Sequence, residues 1–238
     1  MLPDMTGFRA MYGPGTKAVC AYGGDGTLVR AWRSIDYDEA LFPVRNYGLC
    51  PEHEKLYLRA AGGADLRGLG FLKTALGLVR MRLKGRELRA LSELQLRAAC
   101  PTFAMRFGVS LDGDEVARNV IADGVICATA KVGATGYWNS LTRTLFAEGY
   151  GFGFVAPTVG VSNMVLPVTR KASVRVARAC EAVAVADDLV EKVELAEGEE
   201  ILFDSPAEHV DCVGLREFHC PECRARRHGT TVVSQYFK

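Results

Sequence analysis

The sequence predicts a small Rossmann-like α/β domain joined to a larger β-rich, sandwich-like domain. Three observations support this. A short apolar run, Lys17-Ala18-Val19-Cys20-Ala21-Tyr22, ends at a glycine cluster and is followed by helical spacing in Thr27-Leu28-Val29-Arg30-Ala31-Trp32-Arg33, the strand–turn–helix order of an α/β nucleotide site. Beyond about residue 100 the apolar period shortens to two. Asp112-Gly113, between two such stretches, is a hairpin-turn dipeptide.

Along the chain, Leu41-Phe42-Pro43-Val44-Arg45-Asn46 reads as the strand after the first helix. Leu, Arg and Ala dominate from Glu52 to about Leu96, which predicts helical stretches over Glu54–Ala61 and Phe71–Leu83, interrupted by glycines. Phe103–Leu111, Asp114–Arg118, Ala172–Arg178, Lys192–Leu195 and Glu200–Asp204 read as strands. The α/β front end runs to about Lys84. The domain boundaries are drawn at 1–90, 91–204 and 205–238, the last a segment that returns to the first domain. Thr230–Phe237 has the β-branched and aromatic composition of a strand.

The 238 residues are 49% apolar and 24% charged, and Lys plus Arg (29) nearly balances Asp plus Glu (28). No basic field points to nucleic acid, and no apolar run has the length of a membrane span. Met1-Leu2-Pro3-Asp4-Met5-Thr6 lacks the charged and apolar regions of a signal peptide, so a cytoplasmic protein is expected. Eight cysteines are many for such a protein, and most sit in apolar stretches as small buried hydrophobes.

The strongest local signal is Gly23-Gly24-Asp25-Gly26-Thr27. Glycines let a backbone approach phosphate closely, and N–H groups at a helix start favour an anion. A carboxylate there suits a group that orients or deprotonates an attacking hydroxyl, or that shares a metal with the phosphates. The plainer reading is a glycine turn in which Asp25 caps the helix. The segment is neither a Walker A loop nor the Gly-x-Gly-x-x-Gly fingerprint.

Gly-Gly-Asp-Gly-Thr is the signature turn of the superfamily of NAD kinases, diacylglycerol kinases and sphingosine kinases. Its continuation, Leu28–Arg33, resembles the Leu-Leu-Arg-Ala-Ala-Arg run of NAD kinases. Asp123-Gly124-Val125-Ile126-Cys127-Ala128-Thr129, followed by Gly133-Ala134-Thr135-Gly136-Tyr137-Trp138-Asn139-Ser140, is similar to that family's Asp-Gly-Leu-Ile-Val-Ala-Thr-Pro-Thr-Gly-Ser-Thr-Ala-Tyr. Ala90-Leu91-Ser92-Glu93-Leu94 resembles Ala-Leu-Asn-Glu-Val, and Pro157 through Pro167 resembles a later family strand. The matches run in the family's order over most of residues 17–215.

The resemblance implies transfer of the terminal phosphoryl group of ATP, with Mg²⁺ or another divalent cation, to the adenosine ribose 2′-hydroxyl of NAD. It makes Asp25 the base or orienting group, with Gly23, Gly24, Gly26 and Thr27 around phosphate. It assigns Asp123 to the nicotinamide side of the dinucleotide. Thr135, Gly136, Tyr137 and Ser140 go to the adenine and ribose pocket, and Asn46, Ser92 and Glu93 to further dinucleotide contacts. It also implies a homo-oligomer, dimer or tetramer. The departures are local. Ser92 replaces an Asn, Ala130–Ala134 replaces Pro-Thr-Gly-Ser with one more residue, and only half of the family's Asn-x-Gly segment survives at Asn46–Cys50. The leader before the glycine turn is shorter than the strand and helix the family has there. The rival expectations are a lipid or other small-alcohol kinase of the superfamily, and a non-catalytic dinucleotide-binding regulator.

Cys220-Pro221-Glu222-Cys223 has the spacing of half a tetrahedral zinc site. With no second Cys-x-x-Cys, His228 and either Cys212 or His209 would complete it. A reduced pair and a disulfide are the other readings.

Overall fold

The computed structural model describes residues 8–13, 16–22, 25–34, 40–44, 50–52, 54–55, 71–129, 149–158, 160–215 and 222. They fall into two compact units, one of residues up to Ala75 and from Val210 onward, the other of Leu76–His209.

The first unit begins with β1 (Phe8–Gly13), β2 (Thr16–Tyr22), α1 (Asp25–Arg33) and β3 (Ala40–Val44). β4 (Phe71–Gly77) and the last strand, β17 (His209–Leu215), complete its sheet in the order β1-β2-β3-β17-β4. The short leader forms a regular strand: β1 pairs antiparallel with β2 from Phe8↔Ala21 to Gly13↔Thr16. β2 and β3 are parallel, in register from Ala18↔Ala40 to Tyr22↔Val44. Parallel neighbours need a crossover, and α1 supplies it. Leu28, Val29 and Ala31 are buried on the helix, whose spacing the sequence shows, and Val19 and Ala21 are buried on β2. Among the described residues α1 is the one helix of more than a turn, so the unit's α/β character rests on this βαβ crossover. β17 runs parallel to β3, with Cys212 opposite Leu41.

Among its described residues the second unit holds strands joined by turns and loops, and no helix. In chain order the strands are β5 (Val79–Leu83), β6 (Arg86–Ala90), β7 (Glu93–Ala98), β8 (Met105–Leu111), β9 (Asp114–Ala122) and β10 (Gly124–Thr129). β11 (Tyr150–Val155), β12 (Met164–Leu166), β13 (Ala172–Val176), β14 (Cys180–Ala186), β15 (Leu189–Leu195) and β16 (Glu200–Asp204) follow. They form two six-stranded sheets, β12-β11-β10-β7-β14-β15 and β6-β5-β16-β13-β8-β9.

The inner faces share one apolar core. Leu94, Leu96, Val125, Cys127, Phe152 and Phe154 come from the first of these sheets, and Val79, Met81, Phe107, Val109, Val174 and Phe203 from the second. Two ring contacts bridge the sheets: Phe152 meets Phe203 edge-on at 5.5 Å, and Phe107 stacks on Phe154 at 6.4 Å. The sandwich expected from the alternating sequence is therefore present.

The helix expected over Phe71–Leu83 is instead the strands β4 and β5. Leu, Arg and Lys favour helix locally, but Val79, Met81 and Leu83 are buried while Arg80 and Arg82 face outward, a period of two that packing enforces. Lys84 and Gly85 both take positive φ and close a two-residue hairpin into β6. Val79–Ala90 thus belongs to the sandwich by contacts, fifteen or so residues earlier than the domain boundary drawn from composition. Asp112-Gly113 closes the β8–β9 hairpin as the dipeptide predicts, again with both φ positive. The segments 56–61 and 230–237, expected as helix and strand, lie outside the described residues.

On the outer face of the second sandwich sheet, cross-strand register gathers charge. Arg80 donates to both oxygens of Asp204, at 2.8 and 2.9 Å, and Arg82 adds a third bond at 2.8 Å. The Asp204 side chain is only 7% exposed, and its hydrogen bond raises the Arg80 pKa above the usual guanidinium value. Glu87 links Arg80, Arg82 and Arg89 on the neighbouring strand. Removing the carboxylate would leave a poorly solvated guanidinium without its main partner. Asp204→Ala is expected to cost about 3 kcal/mol of stability in a urea titration; a loss below about 0.5 kcal/mol, the size of an exposed ion pair, would contradict a partly buried network.

Candidate functional site

Three of the sequence motifs have described structure, one in the first unit and two in the second. In the first unit the glycine turn leads straight into α1, whose first residue is Asp25. Gly26 is exposed, and a Cβ added there would meet no described atom within 4 Å. The described residues therefore leave open space beside this position. Thr27 is half-buried, and Arg30 Nε donates to the Gly26 carbonyl at 3.2 Å. Gly23 and Gly24 lie outside the described residues.

In the second unit Ser92 and Glu93 sit where the chain leaves one sandwich sheet and enters the other. β6 belongs to the sheet of β5 and β16 and β7 to the sheet of β10 and β14, and Leu91-Ser92 is the bend between them. A bend between ladders leaves backbone groups without strand partners, and buried ones must find others. Here Asp187 supplies them. Its carboxylate accepts the N–H groups of Leu91 (2.8 Å), Ser92 (2.9 Å) and Glu93 (3.0 Å). The Asp187 N–H in turn donates to the Glu93 carbonyl at 2.9 Å. The remaining two carbonyls are taken by Thr129: its hydroxyl donates to Leu91 O at 2.7 Å and its N–H to Ser92 O at 2.9 Å.

Asp187 occupies the β14–β15 turn with φ +53°, a left-handed conformation that aspartate tolerates better than most residues. Sequence reasoning missed it. The available signal was a two-residue Asp187-Asp188 break between two alternating stretches, and nothing in that break announces a contact made some ninety-five residues away in sequence.

The side chains at this bend form a short polar chain. Ser92, 4% exposed, donates toward a Glu93 carboxylate oxygen at 3.4 Å, and Gln95 Nε2 donates to the other at 3.3 Å. Glu93 and Gln95 share a face of β7 by the strand period, opposite to the core face that carries Leu94 and Leu96. Gln95, 7% exposed, is a second residue that sequence reading passed over; a buried amide in an otherwise apolar alternation was its signal.

The Asp-Gly motif is placed differently. Asp123 stands between β9 and β10, where its N–H donates to Val155 O and its carbonyl accepts from Ala98 N–H, both at 2.8 Å. Gly124 has φ +155°, and a Cβ there would lie 2.1 Å from the Leu96 carbonyl, so the motif's glycine is required by the fold. β10 runs antiparallel to β7, with Gly124 opposite Arg97 and Ala128 opposite Glu93. Four residues of strand, roughly 14 Å, separate the two pairs. The structure therefore brings Ser92 and Glu93 together with Thr129, at the end of this motif, and leaves Asp123 at the strand's other end. Asn46, Thr135, Gly136, Tyr137, Ser140, Cys220 and Cys223 lie outside the described residues. Among the described residues no group of three or more His, Cys, Asp or Glu side chains is arranged to hold a metal, and no helix is long and apolar enough to cross a membrane.

No protein-family model matches the sequence, and no curated protein matches it by sequence. Solved structures do match. Yeast NADH kinase complexed with NADH superposes with a TM-score of 0.67 at 16% identity, over 90% of this chain and 66% of that one. An NAD kinase from Archaeoglobus fulgidus in complex with ATP superposes with a TM-score of 0.66 at 21% identity, over 87% of this chain and 83% of that one. The chain has an NAD kinase fold. It spans just under two thirds of the yeast enzyme's length. At these identities the NAD kinase fold is an architecture, and chemistry has to be argued from the residues placed on it.

The Asp187 clamp is directly testable. Asp187→Gly keeps the left-handed turn accessible and removes only the acceptor. The amides of Leu91, Ser92 and Glu93 should then exchange with deuterium at least tenfold faster, with a stability loss of about 2 kcal/mol. Unchanged exchange at those three amides would show that the bend is held without the carboxylate.

Proposed function

We propose that this chain is an NAD kinase, transferring the terminal phosphoryl group of ATP to the adenosine ribose 2′-hydroxyl of NAD to give NADP and ADP. The observation that carries the reading is the NAD kinase fold over 87% of the chain, shared with a protein solved in complex with ATP, together with the Gly23–Thr27 sequence at the β2–α1 turn. The first unit is read as the Rossmann-like part. As in the family it resembles, the chain is taken to work as a cytoplasmic homo-oligomer.

Phosphoryl transfer through a loose transition state needs little covalent help, so the protein's task is to align the reacting oxygens and to spread charge. The N–H groups at the start of α1, reached across Gly23, Gly24 and Gly26, are suited to phosphate oxygens. Asp25 is assigned to the acceptor hydroxyl, holding it in line and taking its proton as the new O–P bond forms. Ser92 and Glu93 are assigned to dinucleotide binding, with Gln95 bringing an amide to Glu93 where the family's Asn is replaced by Ser92. Asp123 at the other end of β10 would meet a different part of the dinucleotide, and Thr135, Gly136, Tyr137, Ser140 and Asn46 complete the assignment. A divalent cation travelling with ATP draws most of its ligands from phosphate and water. The chain need offer it only a carboxylate such as Asp25. That cation would neutralise developing phosphate charge.

The test is a direct assay with NAD, ATP and Mg²⁺, with NADH and diacylglycerol as rival acceptors. NADP should form. Asp25→Asn should lower kcat by about two orders of magnitude or more with an unchanged melting temperature. Gly26→Ala should fold as well as the parent and still lose activity, because a methyl group there would stand where phosphate is assigned. Phosphorylation of the lipid alone would move the chain to the lipid kinases, and full activity in Asp25→Asn would leave that residue a helix cap.

A further inference from the structure

Just past the end of β7 opposite from Glu93, the register of the β7–β14 ladder leads on to two cysteines. β7 and β14 pair antiparallel, with Ala98 opposite Ala182. The Ala99 N–H then donates to the Glu181 carbonyl at 3.0 Å, which makes Ala99 and Glu181 the next, hydrogen-bonded pair. One step further the same register sets Cys100 opposite Cys180. Hydrogen-bonded and non-hydrogen-bonded pairs alternate, so Cys100 and Cys180 form a non-hydrogen-bonded pair. The Asp187 N–H to Glu93 O bond keeps the same phase along the ladder. Such pairs bring Cα atoms to about 4.5 Å, within the roughly 4.4–6.8 Å that a disulfide spans.

Both side chains line one cleft of about 290 Å³, together with Phe103, Arg106, Arg178 and Glu181. Both thiols are free in this structure. We propose that Cys100 and Cys180 form a reversible cross-strand disulfide, made by exchange with an anionic low-molecular-weight disulfide that enters this cleft.

The two cysteines differ in the way the exchange requires. Cys100 is exposed, and its sulfur lies 3.0 Å from the Thr102 hydroxyl. Hydrogen bonds from the Thr102 side chain and backbone lower its pKa, so it is the better source of thiolate. Cys180 is half-buried, and burial raises its pKa. Exposed guanidiniums of Arg106 and Arg178 at the cleft favour an anionic oxidant such as oxidised glutathione.

In the first step the Cys100 thiolate attacks one glutathione sulfur, forming a mixed disulfide and expelling one glutathione thiolate. In the second, Cys180 loses its proton to water and attacks the Cys100 sulfur, expelling the other glutathione. Two protein thiols are oxidised and one glutathione disulfide is reduced to two thiols. The product fastens β7 to β14 at the end where the Ala98 N–H bonds to Asp123, so the redox state of the pair sets the stiffness of that strand end. This inference stands apart from the phosphotransfer reading.

The experiment treats the whole protein with oxidised glutathione, quenches with an alkylating agent and maps the cysteines by mass spectrometry. Trypsin releases Ala98–Arg106 and Ala179–Lys192, each with a single cysteine. The expected result is these two peptides joined, reversed by dithiothreitol, with a melting temperature higher by about 5 °C in the oxidised protein. In Cys180→Ser, Cys100 should instead stop at a stable glutathione adduct. Overturning results are a parent in which Cys100 retains glutathione while Cys180 remains alkylatable, or one in which either cysteine joins a different partner.

Discussion

The sandwich depends on how the chain crosses from one sheet to the other at Leu91-Ser92. Three N–H groups and three carbonyls must leave one ladder and reach the next inside a largely buried environment. An unpaired group there costs about 1–3 kcal/mol. Asp187 answers all three donors with one carboxylate, and Thr129 and the Asp187 N–H answer the carbonyls. The bend is thereby fixed to two other elements, the β14–β15 hairpin and the end of β10. Ser92 and Glu93 inherit their positions from this clamp. So does the point from which the chain departs toward Thr135–Ser140.

The βαβ crossover and the Asp112-Gly113 hairpin were legible in the sequence because each is local. Apolar spacing, glycine and the turn dipeptide carry their geometry within a few residues of chain. Phe71–Leu83 was misread because leucine and arginine favour helix in isolation, although Val79-Arg80-Met81-Arg82-Leu83 already alternates apolar and charged residues with the period of two that burial follows. Glu93 was singled out through its motif, but the contacts that hold it were not. Asp187 reaches it, and Thr129 reaches its neighbours Leu91 and Ser92, from distant segments, and neither carries a local signal of those contacts. Asp123-Gly124 divides in the same way: the glycine's role follows from a 2.1 Å conflict with the Leu96 carbonyl, which only the sheet pairing creates.

Agreement in architecture at 16% and 21% identity shows how little of the sequence the fold fixes. Alternation, hairpin turns and a filled core suffice for the sandwich, and many side chains meet those demands. What remains specific is polar and sparse. Gly26 has open space beside it among the described residues, and Ser92 in the bend bonds Glu93, which shares with Gln95 the face of β7 away from the core. Polar groups kept where packing does not need them are the best candidates for ligand contact.

The clamp and the polar group matter to function only if the Ser92–Glu93 bend is part of a dinucleotide site. Calorimetric titration of NAD into the parent protein and into Glu93→Gln tests that most directly, because it reads binding without chemistry. The account predicts saturable binding to the parent and a Kd at least tenfold weaker in the variant, with the two proteins melting alike. Equal affinity in parent and variant would contradict it.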